Sequence, residues 1–182
     1  SAEHPKEGEV SRLESLKVYA YSPGPMASYH YAGAAAHAAF ILRKYDKKRA
    51  KIYLETAKKA FHWAEKEIQK PLIENQFSPD EFLFDRNSAS LYLFMATDDK
   101  KYHDIFKKTT WLKDEQPYLY PGNTKYRKRK YTWAVWNYAN PQTKIKVDKD
   151  LKERAKRAIL DQANKELQAM QIMGYKFVKS PN

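Results

Sequence analysis

The chain has 182 residues, 42% of them apolar and 31% charged, with a formal net charge of +12 and a pI near 9.6. That is enough apolar material for a domain with its own core, while only 5 glycines argue against a turn-rich all-β fold and the lack of any cysteine excludes disulfides, zinc ribbons and thiol chemistry. No apolar run reaches the length of a membrane span, and the opening residues, which begin Ser1-Ala2 in the manner of an expression remnant, lack the layout of a signal peptide.

Residues 1–25 read as an extended lead or an expression-derived segment, closed by Pro23-Gly24-Pro25. Pro25 suits a helix start, and a first helix is expected over 26–44. It carries Ala at 27, 32, 34, 35, 36, 38 and 39 and is apolar nearly all round. A second helix is expected over 47–69, capped by Asp46 and ended by Pro71. It has one apolar stripe, Ile52, Tyr53, Ala57, Ala60, Phe61 and Ala64, with Lys, Arg and Glu elsewhere. A helix apolar on every side must be enclosed by protein, whereas one with a single stripe covers something and faces water. This hairpin therefore pairs an inner helix with an outer one.

Ser78-Pro79-Asp80-Glu81 forms a capping box with Pro at the first helical position, which starts a third helix over 79–96. Its middle, Ser88 to Ala96, is small and apolar, so it is a second inner helix. Thr97-Asp98-Asp99 caps an outer helix over 99–110, with Tyr102, Ile105 and Phe106 on one face. A loop is expected over 111–124, with Pro117, Pro121 and Gly122. A fifth helix over 127–139 carries Trp133, Val135, Trp136 and Tyr138 and ends at Asn140-Pro141. Asp148 caps a sixth over 149–172, whose stripe is Leu151, Ala155, Ala158, Ile159, Ala163, Leu167 and Met170. Gly174 reads as its C-cap, and the tail 175–182 reads as cut off. The expected fold is all-α: consecutive antiparallel helical hairpins, three over 26–182, forming part of an (α/α) six-hairpin toroid. Unequal links argue against a regular solenoid.

The five histidines are at 4, 30, 37, 62 and 103. His30 and His37 stand about two turns apart on one helix, but no acidic third ligand lies near them in sequence, and no metal or cofactor is expected. Asp85 reads as a polar residue in the first turns of the third helix or facing a groove. No carboxylate pair for glycoside hydrolysis stands out. The aromatics are the better lead, because sugar rings stack on Trp and Tyr faces. Tyr21, Tyr29, His30, Tyr31, Trp133, Trp136 and Tyr138 are the candidates for lining a groove.

Ser22-Pro23, the Ala-rich helix 32–39, Tyr45-Asp46 and Trp63-Ala64-Glu65 together resemble glycoside hydrolase family 9. So do Asp85 to Ser90, then Ala96-Thr97-Asp98-Asp99-Lys100-Lys101-Tyr102, where the family has Ala-Thr-Gly-Asp, together with Trp133-Ala134 and residues 157–160. Ser88 stands where the family often has Trp. The resemblance covers about residues 19 to 175. It implies an endoglucanase-like enzyme acting on β-linked glucan or a related polysaccharide by inversion, in the periplasm or secreted. It also implies that the catalytic base lies upstream and the acid downstream. No catalytic residue is carried over, and the segment alone is expected to be inactive and to associate through its uncovered inner helices.

The basic balance offers an alternative, a non-enzymatic helical module binding protein or nucleic acid. The scatter of the lysines weighs against it. The dense run Lys125 to Lys130 reads as the solvated lead into an apolar helix.

Overall fold

The computed structural model describes residues 24–69, 79–119, 128–141 and 145–172. Among them are six α-helices and one 3₁₀ turn: α1 (Pro25–Leu42), α2 (Lys47–Glu67), α3 (Pro79–Thr97), α4 (Lys100–Thr109), the 3₁₀ turn Trp111–Lys113, α5 (Lys128–Ala139) and α6 (Lys149–Ile172). None of the helices described is long and apolar enough to cross a membrane. Tyr21, Ser78 and Gly174 lie outside the described residues, as does the first part of the basic run at 125–127.

Helices α1, α3 and α5 pack against one another in that order, and each has its own partner in α2, α4 and α6. The inner three run parallel: His30 lies by Asp85, Gly33 by Ala89 and His37 by Tyr92. Likewise Phe84 meets Tyr131, and the side chain of Tyr92 meets Asn137. Three hairpins laid side by side in this sense are a segment of an (α/α) toroid, with the turns α1–α2, α3–α4 and α5–α6 all at one end.

Pro25 opens α1 after Gly24, and the helix buries Met26, Tyr29, Ala32, Gly33, Ala35, Ala36 and Ala39. It is not enclosed on every side. Ala27, Tyr31, Ala34 and Ile41 are exposed, along one stripe spaced by four, three and seven, so this inner helix keeps one uncovered edge. At Gly33 an added Cβ would sit 3.4 Å from the Ala89 Cα, in van der Waals contact, so α1 and α3 approach closely at this crossing of small residues.

Asp46 caps α2, its carboxylate accepting from the Arg49 amide at 2.9 Å. The buried stripe is Ala50, Ala57, Phe61 and Ala64, followed by Ile68. Ile52 and Tyr53 point outward, at 55% and 39% exposure, which corrects the stripe expected from sequence. Ile52 stands about 140° around the helix from Ala57, at 100° per residue, and an apolar residue on a water-facing edge is tolerated.

Helix α3 is buried continuously from Phe84 to Met95 except at Arg86, as expected for a helix apolar all round. Two of its buried polar residues bond within the core: Asn87 donates to the Thr109 carbonyl at 3.3 Å and accepts from the Thr109 hydroxyl at 2.6 Å, and Ser90 donates to the Asn87 carbonyl at 3.0 Å. The α3–α4 turn puts Asp98 at φ 58°, a left-handed backbone that costs a residue with a Cβ roughly 1 kcal/mol. Glycine takes this conformation freely. Asp98→Gly should therefore raise stability by about 0.5 kcal/mol, and a urea midpoint that stays put or falls would contradict this reading of the turn.

Asp99 then caps α4 through the Lys101 amide at 3.0 Å, and the helix buries Tyr102, His103 and Phe106. The stretch expected to be loop begins with the 3₁₀ turn, capped by Thr110. Its Trp111 and Leu112 are buried, as is Leu119. Trp111 packs edge-on to Tyr131 at 5.5 Å and lies 4.8 Å from Phe84, so the connection is part of the core. In α5, Tyr131, Ala134, Val135 and Tyr138 face inward at i, i+3, i+4 and i+7, leaving Trp133 and Trp136 outside. Asp148 caps α6 through the Leu151 amide at 3.1 Å. Leu151, Ala155 and Ala158 are buried, but Ala163 and Leu167 are exposed. The apolar spacing of α6 thus continues further than the packing beneath it among the described residues.

Candidate functional site

The parallel arrangement of α1, α3 and α5 leaves a cavity of about 380 Å³ between their middle turns. From α1 come Tyr29, His30, Gly33, Ala34 and His37; from α3, Asp85, Ser88 and Tyr92; and from α5, Trp133. The α1 set is a stripe at i, i+1, i+4, i+5 and i+8, and the α3 set stands at i, i+3 and i+7. Each helix therefore presents one continuous face. Small residues at 33, 34 and 88 supply the space, and aromatic rings wall it.

Asp85 is buried within α3, and its Oδ1 lies against Nε2 of His30, whose side chain is 33% exposed. A carboxylate in such a position requires a partner, and the imidazole provides one across the helix crossing. His37 stacks on Tyr92 at 4.2 Å between centroids and 17° between planes. Burial lowers the His37 pKa and raises that of the Tyr92 hydroxyl, so both are neutral near pH 7. Trp133 is 63% exposed and borders the opening.

Tyr29 joins the cavity to the helix behind it. Its ring meets Phe61 edge-on at 5.5 Å, and its hydroxyl donates to Oε1 of Glu65 at 2.7 Å. Glu65 also accepts from Nε and Nη2 of Arg86, at 2.6 and 2.8 Å. Burial pushes the Glu65 carboxyl up, but the Arg86 guanidinium and the Tyr29 hydroxyl outweigh it and hold it below the usual carboxylate range. Burial raises the Tyr29 phenol, and the adjoining carboxylate raises it further. One network thus ties α1, α2 and α3 and sets the ring that forms one wall.

Three of the candidates read from sequence, Tyr29, His30 and Trp133, come together here. Tyr31 is outside the cavity lining, 48% exposed, with its hydroxyl donating to the Thr56 hydroxyl at 3.0 Å. Trp136 is 47% exposed on α5, outside the cavity lining. Tyr138 is fully buried and has no face open to a ligand. Its oxygen lies 2.9 Å from Nε2 of His103 and accepts from the Asp148 amide at 3.2 Å. Tyr21 is outside the described residues.

Sequence spacing had shown no acidic neighbour for His30 and His37, yet Asp85 is brought to the first of them. The signal in the sequence was a carboxylate inside an apolar helix. Ser88, His37 and Tyr92 became site residues only through packing. Among the described residues no three His, Asp or Glu side chains converge as a metal site, and Asp85 is the one carboxylate in the cavity lining. The arrangement offers a stacking surface, an imidazole–carboxylate pair and hydroxyls, which suits holding a polyhydroxylated ring.

A sequence model of glycosyl hydrolase family 9 matches residues 3–181. No curated protein and no solved structure matches the chain. The family match over nearly the whole chain and the helical hairpins with parallel inner helices agree with one another: the chain belongs to glycosyl hydrolase family 9.

Proposed function

We propose that the chain is a scaffold segment of a glycoside hydrolase that cleaves β-linked glucan or a related polysaccharide with inversion, an Asp activating water and a Glu protonating the leaving oxygen. Neither role is assigned to a residue here. In this reading the cavity beside Trp133 holds a sugar ring of the substrate. The observation that carries it is the exposed Trp133 face bordering a cavity whose polar groups, His30, Asp85 and Ser88, are placed to take hydroxyls. Pyranose C–H groups pack on an indole face, and a few polar groups in an apolar cavity fix orientation. Among the described residues the lining holds one carboxylate, where glycoside hydrolysis needs a pair, so the segment is expected to bind and not to cleave.

Affinity electrophoresis of the 182-residue chain through a soluble β-glucan gel tests this. Retardation is expected, and Trp133→Ala should weaken it about tenfold, near 1.4 kcal/mol. Retardation unchanged in the variant would remove the cavity from the reading. Release of reducing sugar by the purified chain would overturn the expected inactivity.

A further inference from the structure

The end of the bundle formed by the hairpin turns, away from the cavity, carries a second surface. The α1–α2 turn and the start of α2 hold Arg43, Lys44, Lys47, Lys48, Arg49 and Lys51 with a single carboxylate, Asp46. That carboxylate is already committed: it caps the Arg49 amide and sits 3.4 Å from the Arg49 Nε. Arg43 lies over the Phe40 ring at 4.1 Å. Lys44, Lys47, Lys48 and Lys51 are exposed, and none is paired with a carboxylate among the described residues. Lys47 and Lys48 stand in the first turn of α2, which has no acidic residue, so they face the positive end of that helix dipole, where positive charge is unfavourable, whereas Arg43 and Lys44 follow the C-terminus of α1, where it is favourable. Folding therefore does not account for the placement of Lys47 and Lys48. Amid the cations of this turn is Tyr45, 81% exposed, an aromatic face that the core does not use. The other two turns do not repeat this: Lys100 and Lys101 stand beside Asp98 and Asp99, with Lys101 paired to Asp99 at 3.2 Å, and Lys146 and Lys149 stand beside Asp148 and Asp150, so the unbalanced charge belongs to the α1–α2 turn.

We infer that the Arg43–Lys51 turn is an anchoring surface for an acidic polysaccharide, with Tyr45 stacking on a sugar ring and the lysines pairing with its carboxylates or sulfates. Charge complementarity selects a polyanion. The solvent-directed aromatic ring, on a member of a polysaccharide-degrading family, selects a carbohydrate one. The inference rests on the family for the choice of polymer and is independent of the cavity reading.

The test is binding of the whole chain to polygalacturonate across a salt series, with neutral β-glucan, duplex DNA and anionic vesicles as comparisons. Polygalacturonate binding should weaken steeply with salt. Substituting Lys44, Lys47 and Lys48 together by Gln should weaken it about tenfold and make the log–log salt slope shallower by roughly 2 to 3, by loss of released counterions. Tyr45→Ser should weaken it several-fold with the slope unchanged, an effect charge alone does not produce. Trp133→Ala should leave it intact, so that a failure of the cavity reading is seen separately, in the neutral glucan. The Gln variant should melt no lower than the parent, since Lys47 and Lys48, which oppose the α2 dipole, outnumber Lys44, which suits the α1 dipole. No retention on polygalacturonate overturns the inference. So does DNA or vesicle binding of equal strength that ignores Tyr45→Ser, or a Gln variant of lowered melting temperature.

Discussion

Glu65→Ala should destabilise the fold by about 2–4 kcal/mol, the cost of breaking an ion pair that is largely out of water. Glu65 and Arg86 have side-chain exposures of 28% and 17%, so the loss belongs below the fully buried limit. Removal of the carboxylate leaves the Arg86 guanidinium half-buried with neither of its two short bonds to Glu65, and the Tyr29 hydroxyl without its acceptor. Glu65→Gln keeps an acceptor for Tyr29 but not the charge, and should lie between wild type and Ala. Replacing both partners by apolar residues of similar size, Glu65→Leu with Arg86→Met, should recover most of the loss, because no stranded charge remains. Urea unfolding of these proteins, together with the single variants Glu65→Leu and Arg86→Met, measures this. If the double variant is as unstable as the sum of its single substitutions, the stranded-charge account is wrong. Since the Tyr29 ring lines the cavity, Glu65→Ala should also loosen glucan retention at temperatures where the protein remains folded.

Tyr138→Phe should cost about 2 kcal/mol. The Asp148 amide donates to the phenol oxygen, and in the His103 tautomer protonated on Nδ1 the phenol proton goes to Nε2. The substitution strands the imidazole nitrogen and the amide together, at the point where Asp148 caps α6 and pairs with Lys107 at 2.6 Å. Glucan retention should not change, since Tyr138 has no open face. His103 stacks on Phe94 at 4.3 Å and 7°. Burial lowers its pKa, with Lys107 adding to the effect. The unfolded chain therefore takes up a proton first as pH falls. The contribution from His103 is complete above about pH 6.5 and is lost as pH falls through the lowered folded value. His37 acts with the same sign. The carboxyls of Asp148 and Glu65 are held low, Asp148 chiefly by Lys107, so their contributions persist until pH falls below the usual carboxylate range. Denaturant midpoints should decline in two stages, the first beginning near pH 6.5. A curve flat from about pH 7 to pH 5 would count against the histidine stage.

All six helices, each to within about three residues at either end, and the caps Asp46, Asp99 and Asp148 were legible in the sequence, because periodicity, proline placement and capping act within one or two turns. The division into inner and outer helices was legible for the same reason: α1 and α3 lack a polar face, and α2 and α4 have one. The rotation of each face was less legible. Ile52 faces water and the 3₁₀ turn after Thr110 is buried, since which edge is covered depends on partners remote in the chain. The cavity shows the same division. Its aromatic character was readable from Tyr29, His30 and Trp133, but the pairing of His30 with Asp85, the tie from Tyr29 through Glu65 to Arg86, and the burial of Tyr138 all join residues far apart in sequence. The amino-acid sequence by itself determined that this chain makes helices of two kinds and belongs with a polysaccharide-degrading family. Which aromatics line a cavity and which fill the core was decided by tertiary structure, because a Tyr or Trp serves either role equally well until the packing of other helices closes or opens its face.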